Sequence, residues 1–273
     1  MRTIVSLLVS AALLSGCGQQ KAEQERGDPV AAADTSAPVP AATASPRASA
    51  GGRDVDEETP LYVFAYAYPW AVGTIPALKD RLDAEVETQR GELAAAAKAG
   101  SDEAKASDFP YNKYSRSTGW KVVTDLPGWL SLSARVGSFE GGAHPNYWFN
   151  ALLWDRKADA ERKALDLFTS KAALSAALRP EFCAAIDRQR SKKRGEPVTR
   201  DGGAPFSECL DPVAYTVILG SSNGQAFDRI GVLVPPYEAG PYVEGEYEVT
   251  LPVTAKVLGL IRPEFRDSFA AAR

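Results

Sequence analysis

Between positions 18 and 59 the chain reads GQQKAEQERGDPVAAADTSAPVPAATASPRASAGGRDVDEET, with no aromatic side chain and no Leu, Ile or Phe. Such a run cannot bury enough apolar surface to offset the entropy of ordering it. The sequence therefore confines the folded part to residues 60–269. Ala, Pro and Ser dominate the preceding run, which reads as a tether, and about forty residues of coil span roughly 35 Å root-mean-square. Charges at Arg53, Asp54, Asp56, Glu57 and Glu58 close it.

The tether follows an address. Arg2 precedes an apolar run from Ile4 to Leu14, which is too short for a permanent membrane span and suits a signal peptide covering residues 1–16. The run ends Leu14-Ser15-Gly16-Cys17, which resembles a bacterial lipobox. That resemblance implies cleavage before Cys17 and acylation of its thiol and new amino group with diacylglycerol and palmitate-like chains. Each buried methylene contributes about 0.8 kcal/mol, so several chains anchor firmly. Gly18 after the cysteine, rather than Asp, implies an outer-membrane lipoprotein facing the periplasm. The alternative is a plain secretory peptide that leaves Cys17 as a free thiol.

Composition narrows the chemistry. The chain has 273 residues, 45% apolar, with 31 basic and 35 acidic side chains and a formal charge of −4. Removing Arg2 leaves 30 basic against 35 acidic groups, a mature charge of −5. A nucleic-acid binder normally shows a basic excess, so nucleic acid is not expected as a partner. One histidine and three cysteines cannot easily supply a His/Cys zinc site, and no cofactor or metal is expected.

Hydrophobic patterning gives an α+β reading, a mostly antiparallel sheet packed by helices. Residues 61–70, LYVFAYAYPW, read as a strand. Ile75, Leu78, Leu82, Val86 and Leu93 mark one face of a helix that frays after Ala99. Residues 111–125, 129–139 and 145–154 read as a meander of strands. Helices are expected at 171–178 and again from Pro180, ending at Lys192, Lys193 and Arg194 before Gly195. Strands at 212–219, 225–234 and 245–253 and a short helix at 254–260 complete the domain.

Cys183 and Cys209 remain for an oxidising compartment and are expected to form a disulfide. Gly220-Ser221-Ser222-Asn223-Gly224 matches the esterase pattern G-x-S-x-G. However, a strand rather than a helix follows it and the only histidine lies upstream, so it reads as a hairpin turn. His144 lies in Phe139-Glu140-Gly141-Gly142-Ala143-His144-Pro145-Asn146. A structural reading has His144 bonding backbone at a turn. A chemical reading makes it a base oriented by Glu140. Tyr62, Tyr66, Tyr68, Trp70, Tyr147, Trp148 and Trp154 alternate along strands and read mainly as core, with an exposed subset able to stack on sugars or on a protein.

The Gly141-Gly142-Ala143-His144-Pro145-Asn146 turn is followed by Phe149-Asn150, Trp154-Asp155 and Leu165-Asp166-Leu167-Phe168. A tyrosine-rich close runs from Val234 through Pro235, Pro236, Tyr237, Glu238, Ala239, Gly240 and Pro241 to Tyr242. In combination these resemble the extracytoplasmic domain family of the peptidoglycan deacetylase PdaC and the anti-sigma factor RsiV. The resemblance implies a cell-envelope domain that binds lysozyme, as in RsiV. In PdaC the deacetylase is a separate domain with a metal site of two histidines and an aspartate, so that activity does not carry over. The expectation is a non-catalytic, lipid-anchored binding domain. Its partner would be a lysozyme-like muramidase or peptidoglycan glycan, met by Glu140, His144, Asn146, Tyr237 and Tyr242. The alternative is a peptidoglycan hydrolase or deacetylase using Glu140 and His144.

Overall fold

A computed structural model describes residues 51–200, 203 and 205–272. The expected signal peptide, Cys17 and the tether up to residue 50 lie outside the described residues.

The domain is α+β and contains two sheets. In the first, β1 (Arg53–Glu58), β2 (Tyr62–Tyr68), β3 (Tyr114–Leu126), β4 (Trp129–Phe139), β5 (Asn146–Asp155) and β6 (Ala160–Arg162) lie side by side in chain order. Every neighbouring pair is antiparallel except β2 with β3. A parallel step needs a crossover, which α1 (Trp70–Gly73) and α2 (Pro76–Ala106) provide. After α3 (Lys171–Arg194), strands β7 (Thr216–Gly220), β8 (Arg229–Val234) and β9 (Tyr247–Pro252) form a second, antiparallel sheet. The helix α4 (Ala255–Leu258) follows.

The folded region starts before the expected boundary at residue 60. β1 occupies the charged stretch assigned to the tether and pairs with β2 from Arg53↔Tyr68 to Glu58↔Val63. Its burial alternates with period two, yet it has few apolar side chains, which is how exposed sheet edges avoid recruiting other chains. Ion pairs hold it instead. Arg53 Nη1 donates to Asp83 Oδ1 at 2.7 Å, and Lys113 Nζ donates to Glu58 at 2.6 Å.

Asp83 joins three elements, because it also accepts from Tyr68 Oη at 2.7 Å and Lys79 Nζ at 2.5 Å. Burial alone would raise its pKa, but the bonds from Lys79, Arg53 and Tyr68 outweigh it and hold the carboxyl down at about 2. A depressed carboxylate pKa stabilises the fold above the unfolded value near 4, and that stability is lost as pH falls toward 2. Acid unfolding of the full chain should therefore steepen between about pH 4 and pH 2. Asp83→Asn should remove about 1–2 kcal/mol of that dependence once partial exposure is discounted. An unchanged slope in the variant would show that Asp83 does not carry it.

α2 starts with Pro76 at its first position and buries Leu78, Leu82, Val86, Leu93 and Ala97 at helical spacing. It continues through Ala106 rather than fraying after Ala99. Its later part is pinned by Tyr114, whose hydroxyl lies so close to Gly100 that a Cβ there would sit 2.3 Å from it. The expected break at Pro180 is also absent: α3 is one helix, with Pro180 inside it. Leu174, Leu178, Phe182 and Ile186 recur every four residues on one buried face, and this continuous face outweighs the lost backbone bond. Ser170 caps its start by accepting from Ala173 N–H, and Gly195 closes it at φ 76°.

Two cores result. α2 packs on one face of the six-stranded sheet over Phe64, Tyr66, Leu130, Leu132 and Leu152. β7 lies against β3, β4 and β5 of that sheet, and α3 packs on β9, enclosing Phe182, Phe227, Ile230, Val232 and Val249. Cys183 and Cys209 form the expected disulfide, with Cα atoms 5.3 Å apart. Gly220 to Gly224 is the expected turn, leading from β7 toward β8, with Ser222 Oγ donating to Asp228 at 2.5 Å. Among the described residues no helix is long and apolar enough to cross a membrane.

Candidate functional site

The β4–β5 connection contains Gly141 and Gly142 at φ 86° and 100°, a conformation that costs glycine little and other residues much. The turn delivers His144 and Pro145 to the start of β5. From the second sheet, the loop after β8 delivers Tyr237 and Tyr242. The two segments, 93 residues apart between His144 and Tyr237, meet.

The imidazole of His144 stacks on Tyr242, with centroids 3.9 Å apart and planes 20° apart. Its Nδ1 lies 3.0 Å from the Pro145 carbonyl and its Nε2 lies 3.0 Å from Tyr237 Oη. A carbonyl only accepts, so Nδ1 carries the proton. In the neutral ring Nε2 then accepts from the Tyr237 hydroxyl. Tyr242 Oη donates to the same Pro145 carbonyl at 2.8 Å, and burial raises its pKa. Tyr237 is 51% exposed and has φ 70°, a left-handed conformation uncommon for an aromatic residue. Such local strain persists only where surrounding structure imposes it.

The surroundings here are the C-terminal turns of α3. Arg190 Nε donates to the Ala239 carbonyl at 2.7 Å, and Arg194 Nε donates to Glu244 at 2.8 Å. Lys193 Nζ donates to the carbonyls of Glu244 and Glu246, each at 2.6 Å, and sits 3.7 Å from the Tyr247 ring centre. Burial alone would raise the Glu244 pKa, but the bonds from Arg194 and Tyr247 reverse it and keep the carboxylate ionised. Beside the triad, Arg135 lies 4.0 Å over the Tyr147 ring and donates to Glu246 at 2.9 Å.

Of the five residues singled out in the sequence, His144, Tyr237 and Tyr242 come together. Glu140 instead accepts from Arg116 Nη2 at 3.1 Å, and Arg116 also reaches Glu92 on α2. Asn146 is exposed at the first position of β5, opposite Ser138. Among the described residues no three His, Cys, Asp or Glu side chains group as metal ligands, so the donor set does not fit a deacetylase metal. Arg135, Arg190 and Lys193 were not anticipated as parts of the site. The only hint was the basic run Lys192-Lys193-Arg194, which also reads as an ordinary helix end.

Two solved structures of DUF3298 family proteins are similar. The first, from Bacteroides fragilis, has 16% identity over 78% of this chain and 93% of its own, with a TM-score of 0.48. The second, from Pseudomonas aeruginosa, has 15% identity over 81% of this chain and 97% of its own, with a TM-score of 0.46. No curated protein matches the chain. The resemblance to the PdaC family stands: residues 55–147, which include the Gly141-Gly142-Ala143-His144 turn, match the family model described as Deacetylase PdaC.

Proposed function

We propose that the protein is a non-catalytic binding domain of the bacterial cell envelope, held at the outer membrane by acyl chains on Cys17. Its contact surface is the His144–Tyr237–Tyr242 cluster, and its partner is a muramidase of the lysozyme type. The observation that carries the reading is the half-exposed Tyr237, fixed at positive φ against a histidine that is itself stacked on Tyr242. Rigid, partly exposed aromatic side chains are the usual anchors of protein contacts. Val243, 91% exposed on the same loop, extends the apolar area. Lysozymes are basic, and a mature charge of −5 speeds their encounter.

A binding role is also supported by how the imidazole is used. Nδ1 is spent on a backbone carbonyl and Nε2 on a phenol, while Glu140, the carboxylate a base would need, is held by Arg116.

Calorimetric titration of the full chain in detergent micelles with lysozyme tests the reading. Saturable heat is expected, weakening with salt. Tyr237→Ala and Tyr242→Ala should each weaken binding about tenfold, the effect of losing one interfacial anchor. Binding of purified muropeptide glycan alone would replace the partner. Turnover of muropeptides that disappears in His144→Ala would overturn the non-catalytic reading.

A further inference from the structure

β5 has ten residues, and β4 pairs with it from Asn146 to Asp155 on one side. On the other side β6 pairs only with Leu153, Trp154 and Asp155. The direction of the remaining backbone groups follows from three bonds. Arg156 N–H reaches the Gly128 carbonyl on the β4 side, so by strand alternation the even positions of β5 face β4 and the odd positions face away. The Thr216 hydroxyl on the Phe149 carbonyl (2.9 Å) and the Tyr242 hydroxyl on the Pro145 carbonyl (2.8 Å) agree, because both acceptors are odd. Between the Thr216 bond and β6, both backbone groups of Ala151 therefore point outward, and the Phe149 N–H points outward just on the other side of the Thr216 bond. Among the described residues no strand pairs with them on that side.

They face a cleft of about 370 Å³. Its walls include residues from both faces of β5, among them Asn150 and Ala151, so it runs along the strand edge. Arg81 and Glu85 of α2 flank it on one side, and β7 flanks it on the other. β6 and Lys163 close one end. The volume is at the small end of ligand cavities, about 300–1,000 Å³. The gap between Phe149, whose carbonyl Thr216 takes, and Leu153, which β6 takes, is about 13 Å long at roughly 3.3 Å per residue. At the mouth, Arg81 is paired with Glu161 at 2.9 Å and Arg162 with Asp155 at 3.3 Å. Lys163 and Lys171 have no carboxylate partner among the described residues, and against the one lining carboxylate outside an ion pair, Glu85, they leave the cleft with a net positive charge.

We propose that this cleft receives a short extended segment of a partner protein, about four residues with small side chains and a carboxylate. The segment adds to β5 as a strand between β7 and β6, with its carboxylate meeting Lys163 and Lys171. The flanking α2 and β7 recess the edge, so a single extended segment fits where the sheet edge of a second copy does not.

Amide NMR of the full chain in detergent micelles, titrated with acetyl-Thr-Ala-Glu-Ala-Thr-amide, tests the proposal. The expected result is saturable shifts centred on the Phe149 and Ala151 amides. Affinity should fall at least fivefold in the Lys163→Glu/Lys171→Glu variant and for the peptide with Lys in place of Glu. Ala151→Pro removes an outward N–H that β4 does not use, and it should abolish binding. Tyr237→Ala should leave it unchanged, which separates this edge from the aromatic cluster. Absence of saturable shifts at millimolar peptide, equal binding of the Lys peptide, or binding that survives Ala151→Pro would overturn the proposal.

Discussion

Arg190→Ala should destabilise the domain by about 3–5 kcal/mol, the range found when one member of a buried charged network is removed. Arg190 is the largest fully buried side chain among the described residues. Burial lowers its pKa, and Asp187 opposes that shift with a bond from Arg190 Nη1 at 3.2 Å. Nη1 also donates to the Glu208 carbonyl at 2.9 Å and Nε to the Ala239 carbonyl, while Nη2 is buried without a partner. Truncation leaves the Glu208 carbonyl without its donor and the Ala239 carbonyl with only the longer bond from Arg194 Nη2 at 3.4 Å, and it opens a void; each of these defects costs stability. Arg190→Met fills most of the volume and removes the buried charge, so it should cost less, about 1–3 kcal/mol. Urea unfolding of both variants at neutral pH, with an unchanged denaturant slope, provides the measurement. A loss under 1 kcal/mol in Arg190→Ala would mean that the network is not structurally important. Because Ala239 lies two residues after Tyr237, the folded Arg190→Met variant should also bind lysozyme more weakly than the parent. A purely global role for Arg190 would leave that affinity unchanged.

Strand and helix positions with strong periodicity were legible in the sequence. The bounds of β4 coincide with residues 129–139, and the Leu78–Leu82–Val86–Leu93 face is buried as the spacing requires. β1 was missed because its evidence is electrostatic: an edge strand made of RDVDEE carries almost no apolar signal, and its partners Asp83, Arg90 and Lys113 are distant in sequence. The parallel β2–β3 pairing was missed for a related reason. Strand alternation looks the same in either direction, and only the long α2 crossover distinguishes them. Pro180 misled in the opposite sense, since a local breaker was outweighed by a buried face that only tertiary packing reveals.

The site was legible where residue type limits the options. A single histidine after two glycines, and tyrosines in a Pro-Pro-Tyr loop, stand out in any reading. Their meeting depends on the docking of two sheets, which no local pattern encodes. Glu140 failed as a partner because Arg116, on β3, competes for it, and neighbours in sequence need not be neighbours in charge. Arg190 could not have been found at all: an arginine three residues after Asp187 on a helix normally reads as a solvated ion pair.

Removing the Cys183–Cys209 bridge should cost about 3–4 kcal/mol, from a loop of 26 residues' separation in the chain-entropy account. For a domain of this size that lowers the unfolding midpoint by roughly 10 °C. Cys183→Ala/Cys209→Ala avoids the ambiguity of a reductant and can be followed by thermal unfolding. The bridge does not act alone. Arg179 Nη2 donates to the Cys209 carbonyl at 2.9 Å, and Arg190 holds the adjacent Glu208 carbonyl, so one segment is fastened to α3 at three points. Anchors on a shared segment couple, because each matters most when the others are gone. The bridge-less protein should therefore lose more stability on Arg190→Met than the bridged one does, by about 0.5–3 kcal/mol in a double-mutant cycle. Simple additivity within a few tenths of a kcal/mol would show that the disulfide only shortens the unfolded chain. Coupling of the expected sign would make it part of the frame that α3 extends, through Arg190 and the Ala239 carbonyl, to the loop of Tyr237 and Tyr242.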